Sequence, residues 1–249
     1  MRPVLFEIGS FSVYSYGVML FLAFAVGSYW ALKEAPAEGI DRDHLYESII
    51  ISIVLSMLGS RLAFVLLHPE LFRGEPWWRI FAFRDGGLVF YGGLFAALLG
   101  VFFYCRFRHI SFLKLLDHAS PFIVLGYAIT RVGCFLNGCC YGAVTQLPWA
   151  VVYPFADGAG RHPTQLYAVG AGLLIFVLLR KLKRFKTFEG YTFLLFLMFY
   201  GSYRFLIEFV RVHESVLGFL TPYQLASLAL IVLATSVFYW RRRMAAALS

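Results

Sequence analysis

Tyr200-Gly201-Ser202-Tyr203-Arg204-Phe205-Leu206-Ile207-Glu208-Phe209-Val210-Arg211 closes an apolar run long enough to cross a bilayer, yet it carries two arginines and a glutamate. At about 100° per residue, Tyr200, Arg204, Glu208 and Arg211 fall within a narrow arc of one helix face. An arginine near the bilayer centre costs roughly 2.5–3.5 kcal/mol on insertion scales, so such residues face a polar interior and mark function. Arg61 and Arg131 stand inside or at the end of other apolar stretches. Guanidinium groups take phosphate in a planar fork. Four of them among membrane spans point to an anionic lipid or an anionic solute.

The composition around this stretch agrees. Hydrophobic residues make up 60% of the chain and charged residues 14%, against about 25% charged in an ordinary soluble domain. Apolar stretches run over roughly 13–32, 47–67, 88–105, 113–131, 165–180, 191–211 and 223–240, each near the roughly 20 residues that a spanning helix needs. Asp117, Ser120 and Pro121 interrupt the first half of the fourth. No segment between spans is long enough for a soluble domain. The expected architecture is an all-α integral membrane protein of seven transmembrane helices, a single domain over residues 1–249.

Positive charge sets the expected orientation. Sorting ends and loops alternately, one side holds Lys33, Arg42, Arg106, Arg108, Lys114, Arg180, Lys181, Lys183, Arg184, Lys186, Arg241, Arg242 and Arg243. The other holds Arg2, Arg73, Arg79, Arg84 and Arg161. Thirteen against five puts the C-terminus in the cytoplasm and the N-terminus outside. The net charge of +8 is thus mostly a topology signal, and no nucleic-acid partner is expected, because the basic residues flank spans. The first span lacks a basic n-region beyond Arg2 and is too long for a cleaved signal peptide. Residues 1–12 are expected as a short interfacial arm.

The outer loops are the long ones. Trp77 and Trp78 in the 68–87 loop suit the headgroup level. The 132–164 loop is expected to fold as a small periplasmic cap with some strand, since Trp149 to Tyr153 is β-branched and aromatic between glycine- and proline-rich flanks. Cys134, Cys139 and Cys140 cluster there, while Cys105 belongs to the other membrane face. No histidine or fourth cysteine stands at ligand spacing, so packed thiols or a local disulfide are expected in preference to a metal. Asp117 reads equally as a structural hydrogen-bonding group or as an acid. Tyr91, before Gly92-Gly93, reads equally as a site residue or as part of a close helix contact.

Ordered motifs along nearly the whole chain resemble those of bacterial prolipoprotein diacylglyceryl transferases. They are Tyr16-Gly17, Gly59-Ser60-Arg61-Leu62, Asp85-Gly86-Gly87-Leu88-Val89-Phe90-Tyr91-Gly92-Gly93-Leu94, and the signature segment 131–142. After it come Pro148-Trp149-Ala150-Val151-Val152-Tyr153-Pro154, His162-Pro163-Thr164-Gln165-Leu166-Tyr167, the 200–211 stretch, and Gln224-Leu225-Ala226-Ser227. The resemblance implies transfer of the sn-1,2-diacylglyceryl group of phosphatidylglycerol to the lipobox cysteine thiol in the signal peptide of a prolipoprotein. A thioether forms and glycerol 1-phosphate leaves. It also implies residence in the bacterial cytoplasmic (inner) membrane, an active site towards the outer leaflet, and no cofactor.

Carried over by motif, Arg131 is the signature arginine on phosphatidylglycerol and Arg204 the second arginine of the chemistry. Tyr16, Asn137, Gly142, Tyr200 and Glu208 match positions that line the cavity, with Arg61, Gln165 and Arg211 as further substrate-binding candidates. Tyr91 stands where many members have histidine, and is expected to position substrate. Cys134, Cys139 and Ala168 replace an asparagine and two glutamates. Two rival readings remain at this stage: a catalytically altered paralogue that binds anionic lipid, and an organic-anion transporter, which would be expected to show internal repeats.

Overall fold

The computed structural model describes residues 1–9, 11–83, 86–154, 156–211 and 220–247. Arg84 and Asp85, which entered the charge count and the third motif, lie outside the described residues. Among the described residues seven helices are long and apolar enough to span a membrane. They are α1 (Ser15–Glu34), α2 (Arg42–Leu67), α3 (Phe90–Arg108), α4 (Phe112–Asn137), α5 (Thr164–Leu182), α6 (Tyr191–Ile207) and α7 (Pro222–Ala247). The chain is a multi-pass, all-helical membrane protein with two small hairpins. β1 (Val4–Ile8) pairs antiparallel with β2 (Phe11–Tyr14), and β3 (Val151–Val152) with β4 (Gly160–Arg161).

Residues 1–12, expected as a short interfacial arm, fold largely into the β1–β2 hairpin. Its signal is Gly9 at the turn between two β-prone runs, with φ at +60°. It is tied down at its end: Ser15 N–H donates to Pro3 O (2.8 Å), the Ser15 hydroxyl to Arg2 O (2.5 Å), and Arg2 N–H to Leu136 O (3.0 Å).

Two compact units make up the chain, 1–31 with 116–249, and 32–115. In the 32–115 unit, α2 and α3 approach through glycine. A side chain on Gly92 would strike Ala63 and Gly59 O, and one on Gly93 would strike Ser56 O. Small residues at such contacts let apolar helices gain van der Waals packing where lipid offers no hydrophobic drive. Asp41 caps α2 by accepting from Asp43 N–H (2.8 Å) and His44 N–H (3.1 Å), and these bonds hold its carboxyl below the usual range.

The other unit is built on α4. Gly126 lies against Ala23 and Gly133 against Met19 and Tyr16 of α1, while Gly172 of α5 lies against Ala128. Val124, Ile175 and Leu179 form a buried core with Phe176, Leu195, Phe196, Phe199 and Tyr203 packed around it. The fourth span continues to Asn137, six residues past its expected end, in spite of Pro121 within it. Asp117 is fully buried, and its role is structural. Its carboxylate accepts from Gly190 N–H (2.8 Å) and Phe193 N–H (2.9 Å) and pairs with Lys186 Nζ (2.8 Å). Two of the four orphan donors at the start of α6 are thereby satisfied from α4.

The start of α7 is a reciprocal capping box. Thr221 N–H donates to Gln224 Oε1 (2.9 Å) while Gln224 N–H donates to Thr221 Oγ1 (3.2 Å), with Pro222 at the first helical position. Replacing Asp117 by Ala should leave Lys186 and two backbone donors without their carboxylate. We expect a loss of about 3 kcal/mol, the lower end for breaking a buried ion pair, read as a lowered melting midpoint of the detergent-solubilised chain. An unchanged midpoint would show that the cap is dispensable.

Candidate active site

The end of α4 fixes the site's geometry. Gly138 N–H donates to Phe135 O and Cys139 N–H to Cys134 O (both 3.1 Å), and Gly138 takes a left-handed φ of +73° to end the helix. Cys140 also has a left-handed φ, +66°, which is uncommon for a side chain of this kind and costs energy that the surroundings must supply. The surroundings here are the first turn of α5. The Thr164 hydroxyl donates to Cys140 O and Gln165 Nε2 to Cys139 O, each at 2.6 Å, while Gln165 Oε1 accepts from the buried Tyr153 hydroxyl (2.9 Å). Both ends of the Gln165 amide are therefore engaged in holding the loop.

The chain then forms a cap over residues 138–163. Six residues expected in the cap, 132–137, are helical instead. Within the expected strand 149–153 only Val151 and Val152 pair, with Arg161 and Gly160, because Ala150 N–H is turned back to Leu147 O and Tyr153 O accepts from Ala156 N–H. Gly142 N–H donates to His162 O (2.9 Å) and Ala143 N–H to Val210 O (2.9 Å). A side chain on Gly142 would collide with Val210 O, Thr164 and His162. Arg161 pairs with Asp157 (2.7 Å), donates to Gly142 O (3.3 Å) and lies 5.1 Å over the Tyr141 ring. The bond from Arg161 holds the Asp157 carboxyl below its ordinary range.

Arg131 is half-buried about two turns before this junction, with its guanidinium 4.9 Å over the Tyr127 ring. Among the described residues no carboxylate pairs with it. The Tyr127 hydroxyl meets the Tyr203 hydroxyl at 3.2 Å, and its ring packs edge-on against Tyr200. Tyr16, 40% exposed, lies within electrostatic reach of Arg131, Cys134, Cys139 and Cys140. Asn137 lies beside the Cys139 thiol, which donates to Cys134 O (3.7 Å).

The thiols are unbridged: Cys134 is buried, Cys139 half-buried and Cys140 exposed. Hydrogen bonding from Cys134, then from Cys139, with the positive charges of Arg131 and Arg211, pulls the Cys140 thiol down to about 5.

Arg204 forms an ion pair with the buried Glu208 one turn on, and lies 4.9 Å over the Tyr223 ring. Glu208 also accepts from the Thr221 hydroxyl (3.1 Å). Arg211 leaves the helical arc expected for it. The helix α6 ends at Ile207, a 3₁₀ turn covers Glu208–Val210, and Arg211 is extended, because Val210 O is engaged by the cap. Tyr127, Thr221 and Tyr223 were not singled out from the sequence. Thr221 and Gln224 had a readable signal in the capping-box spacing; the two tyrosines had only helical spacing or proximity in space.

Arg61 and Tyr91 belong to the 32–115 unit. Arg61 is buried and donates to Ile80 O (2.7 Å), Arg79 O (2.9 Å), Gly86 O (2.7 Å) and Gly87 O (3.3 Å). Tyr91 is 69% exposed beside the glycine contact.

These features define a polytopic membrane protein with arginines and a strained, thiol-bearing loop at the ends of its helices. Residues 3–240 match the family model described as prolipoprotein diacylglyceryl transferase. The chain belongs to that family. It is 34% identical to the phosphatidylglycerol–prolipoprotein diacylglyceryl transferase of Gloeobacter violaceus over 257 residues, covering 98% of this chain and 94% of the relative. The protein of that name from Chromohalobacter salexigens is 33% identical, over 97% and 92%, and that from Aeromonas hydrophila 34%, over 87% and 80%.

The crowding at Gly142 yields a direct test. Gly142→Ala should destabilise the detergent-solubilised chain by about 1–3 kcal/mol, the cost of forcing volume into a filled space, and should raise protease cleavage within the cap. Wild-type melting and cleavage would mean that the contact with Val210 is not needed.

Proposed function

We propose that this chain transfers the diacylglyceryl group of phosphatidylglycerol to the lipobox cysteine thiol of a prolipoprotein, making a thioether and releasing glycerol 1-phosphate. The observation that carries the site reading is Arg131: a half-buried guanidinium seated on Tyr127 with no carboxylate partner among the described residues. A lipid phosphate is an anion suited to that position.

The bond to be broken joins a glyceryl carbon to a phosphate oxygen, so negative charge grows on the departing phosphate. A guanidinium already fixed in a low-dielectric setting stabilises that charge with little reorganisation. Arg204 is the second cation, oriented by Glu208, which Thr221 in turn holds. Tyr16, Asn137, Gly142, Tyr200 and Arg211 are proposed to shape the substrate space. For Arg61 and Gln165 the bonds to loop carbonyls favour positioning over substrate contact. Tyr91 is carried by its motif as a substrate-positioning phenol. A phenol with a reference pKa near 10 is a poor resting base at neutral pH.

The charge asymmetry of the loops supports an N-terminus outside and a site towards the outer leaflet of the bacterial cytoplasmic membrane, where the cap would receive the signal peptide. The match over nearly the whole chain does not favour the transporter or altered-paralogue readings.

The purified chain, given phosphatidylglycerol micelles and a lipobox peptide, should yield a peptide heavier by one diacylglyceryl group, with glycerol phosphate in equal amount. Arg131→Ala and Arg204→Ala should each lower the rate by about 10²–10³, the usual cost of removing one transition-state donor. Tyr91→Phe should lower it by roughly 10- to 100-fold. An Arg131→Ala chain as fast as wild type would rule out the proposed phosphate contact.

A further inference from the structure

The two arginines of the proposed site stand on different helices, Arg131 on α4 and Arg204 on α6, and three tyrosines join those helices. Tyr127 lies one turn before Arg131 on α4. Tyr200 and Tyr203 belong to α6, the second of them next to Arg204. Their rings close a triangle, with centroids 5.7 Å apart for Tyr127–Tyr200, 6.2 Å for Tyr127–Tyr203 and 6.3 Å for Tyr200–Tyr203. All three fall in the range of favourable aromatic pairs, roughly 4.5–7 Å. The Arg131 guanidinium lies 4.9 Å over one corner of the triangle, the Tyr127 ring.

The hydroxyls add direction to this stack. Tyr127 Oη donates to Tyr203 Oη at 3.2 Å, across 76 residues of sequence. Phenylalanine at both positions would keep the rings and avoid the cost of taking two hydroxyls from water. What the bond supplies is a fixed ring orientation, because a ring hinged only at Cβ can swing and one also held at its far end cannot. Tyr203 is anchored in turn by packing on the buried Val124, Ile175 and Leu179. A guanidinium stacked on a ring follows the face of that ring, so contacts run from the core through Tyr203 and Tyr127 to Arg131. No carboxylate does this orienting for Arg131 among the described residues, whereas Glu208 does it for Arg204.

We propose that Tyr127 and Tyr203 are positioning residues, which hold the Arg131 guanidinium in the orientation that meets the lipid phosphate. This rests on the transferase reading above. A carboxylate beside Arg131 would neutralise the charge that the departing phosphate needs. An aromatic face orients a cation and leaves its net charge in place. The hydroxyl bond also ties Arg131 to the helix of Arg204, so contacts between α4 and α6 set the spacing of the two cations before the lipid arrives. Charges aimed in advance in this way stabilise a developing anion without reorganising during the reaction.

The test is a set of double-mutant cycles on the full chain purified in detergent, with phosphatidylglycerol in nonionic-detergent micelles and a lipobox peptide. Tyr203→Phe and Tyr127→Phe remove the same bond. Each should lower kcat/KM for phosphatidylglycerol about five- to tenfold, and the double variant should be no slower than either. Tyr127→Leu also removes the face and should cost several-fold more. KM for the peptide should keep its wild-type value throughout. In an Arg131→Ala background, Tyr203→Phe and Tyr127→Leu should have no further effect on transfer. Affinity for phosphatidylglycerol, measured against phosphatidylcholine as the reference without net charge, should show the same coupling without any turnover.

A loss as large in the Arg131→Ala background as in the wild type would mean that the tyrosines serve helix packing alone, and overturns the proposal. Wild-type kcat/KM in Tyr203→Phe overturns it too. Should Tyr127→Leu fail to fold, the two phenylalanine variants, each lacking one oxygen, decide the question. Coupled lipid binding with no transfer to the peptide by any preparation overturns the transferase reading and leaves the positioning of Arg131 standing.

Discussion

Charge inside an apolar helical chain has to be neutralised close to where it arises, and this requirement orders much of the molecule. Asp117 is neutralised by Lys186 and by the first-turn amides of α6. Glu208 is neutralised by Arg204 and held by Thr221. Arg61 places its donors on four loop carbonyls. In each case the partner sits at a helix end or in a loop, where backbone groups are not already bonded to one another. Arg131 departs from this pattern. Its neighbours are an aromatic face and thiols, and no carboxylate pairs with it among the described residues.

The second organising element is the junction at residues 138–143. A helix that ends in a left-handed turn normally relies on glycine, and Gly138 serves so here. Two residues later Cys140 adopts the same region without that freedom, held by bonds from the start of α5. The cap is joined to the same place through Gly142 and Ala143, which bond His162 and Val210. The cysteines, the cap and the last turn before Arg211 thus form one hydrogen-bonded body.

Much of this was legible in the sequence. The seven spans follow from length and hydropathy, since a bilayer fixes both. The common helix face of Arg204 and Glu208 follows from a spacing of four; that the two pair with each other was not the expectation. What could not be read depends on distant partners. Asp117 meets Gly190 across 73 residues, and no local pattern distinguishes that cap from a proton carrier. Tyr127 and Tyr223 were hidden among many tyrosines, because an aromatic beneath a guanidinium looks like any other core aromatic until the helices are placed. Arg211 was misread for a different reason: helical periodicity was carried four residues past Ile207, where α6 stops.

The two helices that flank the 208–221 stretch begin in different ways, which bears on how the protein is made. The start of α7 is complete within four residues, since Thr221 and Gln224 cap each other. The start of α6 needs a carboxylate that belongs to α4. During synthesis from the N-terminus, Asp117 leaves the ribosome well before Gly190 does. The acceptor is therefore already in place when the last helix but one enters the bilayer, and that helix can be capped as it inserts. A chain permuted to begin after α4 would lose this order, and α6 would have to enter the membrane with its first amides open.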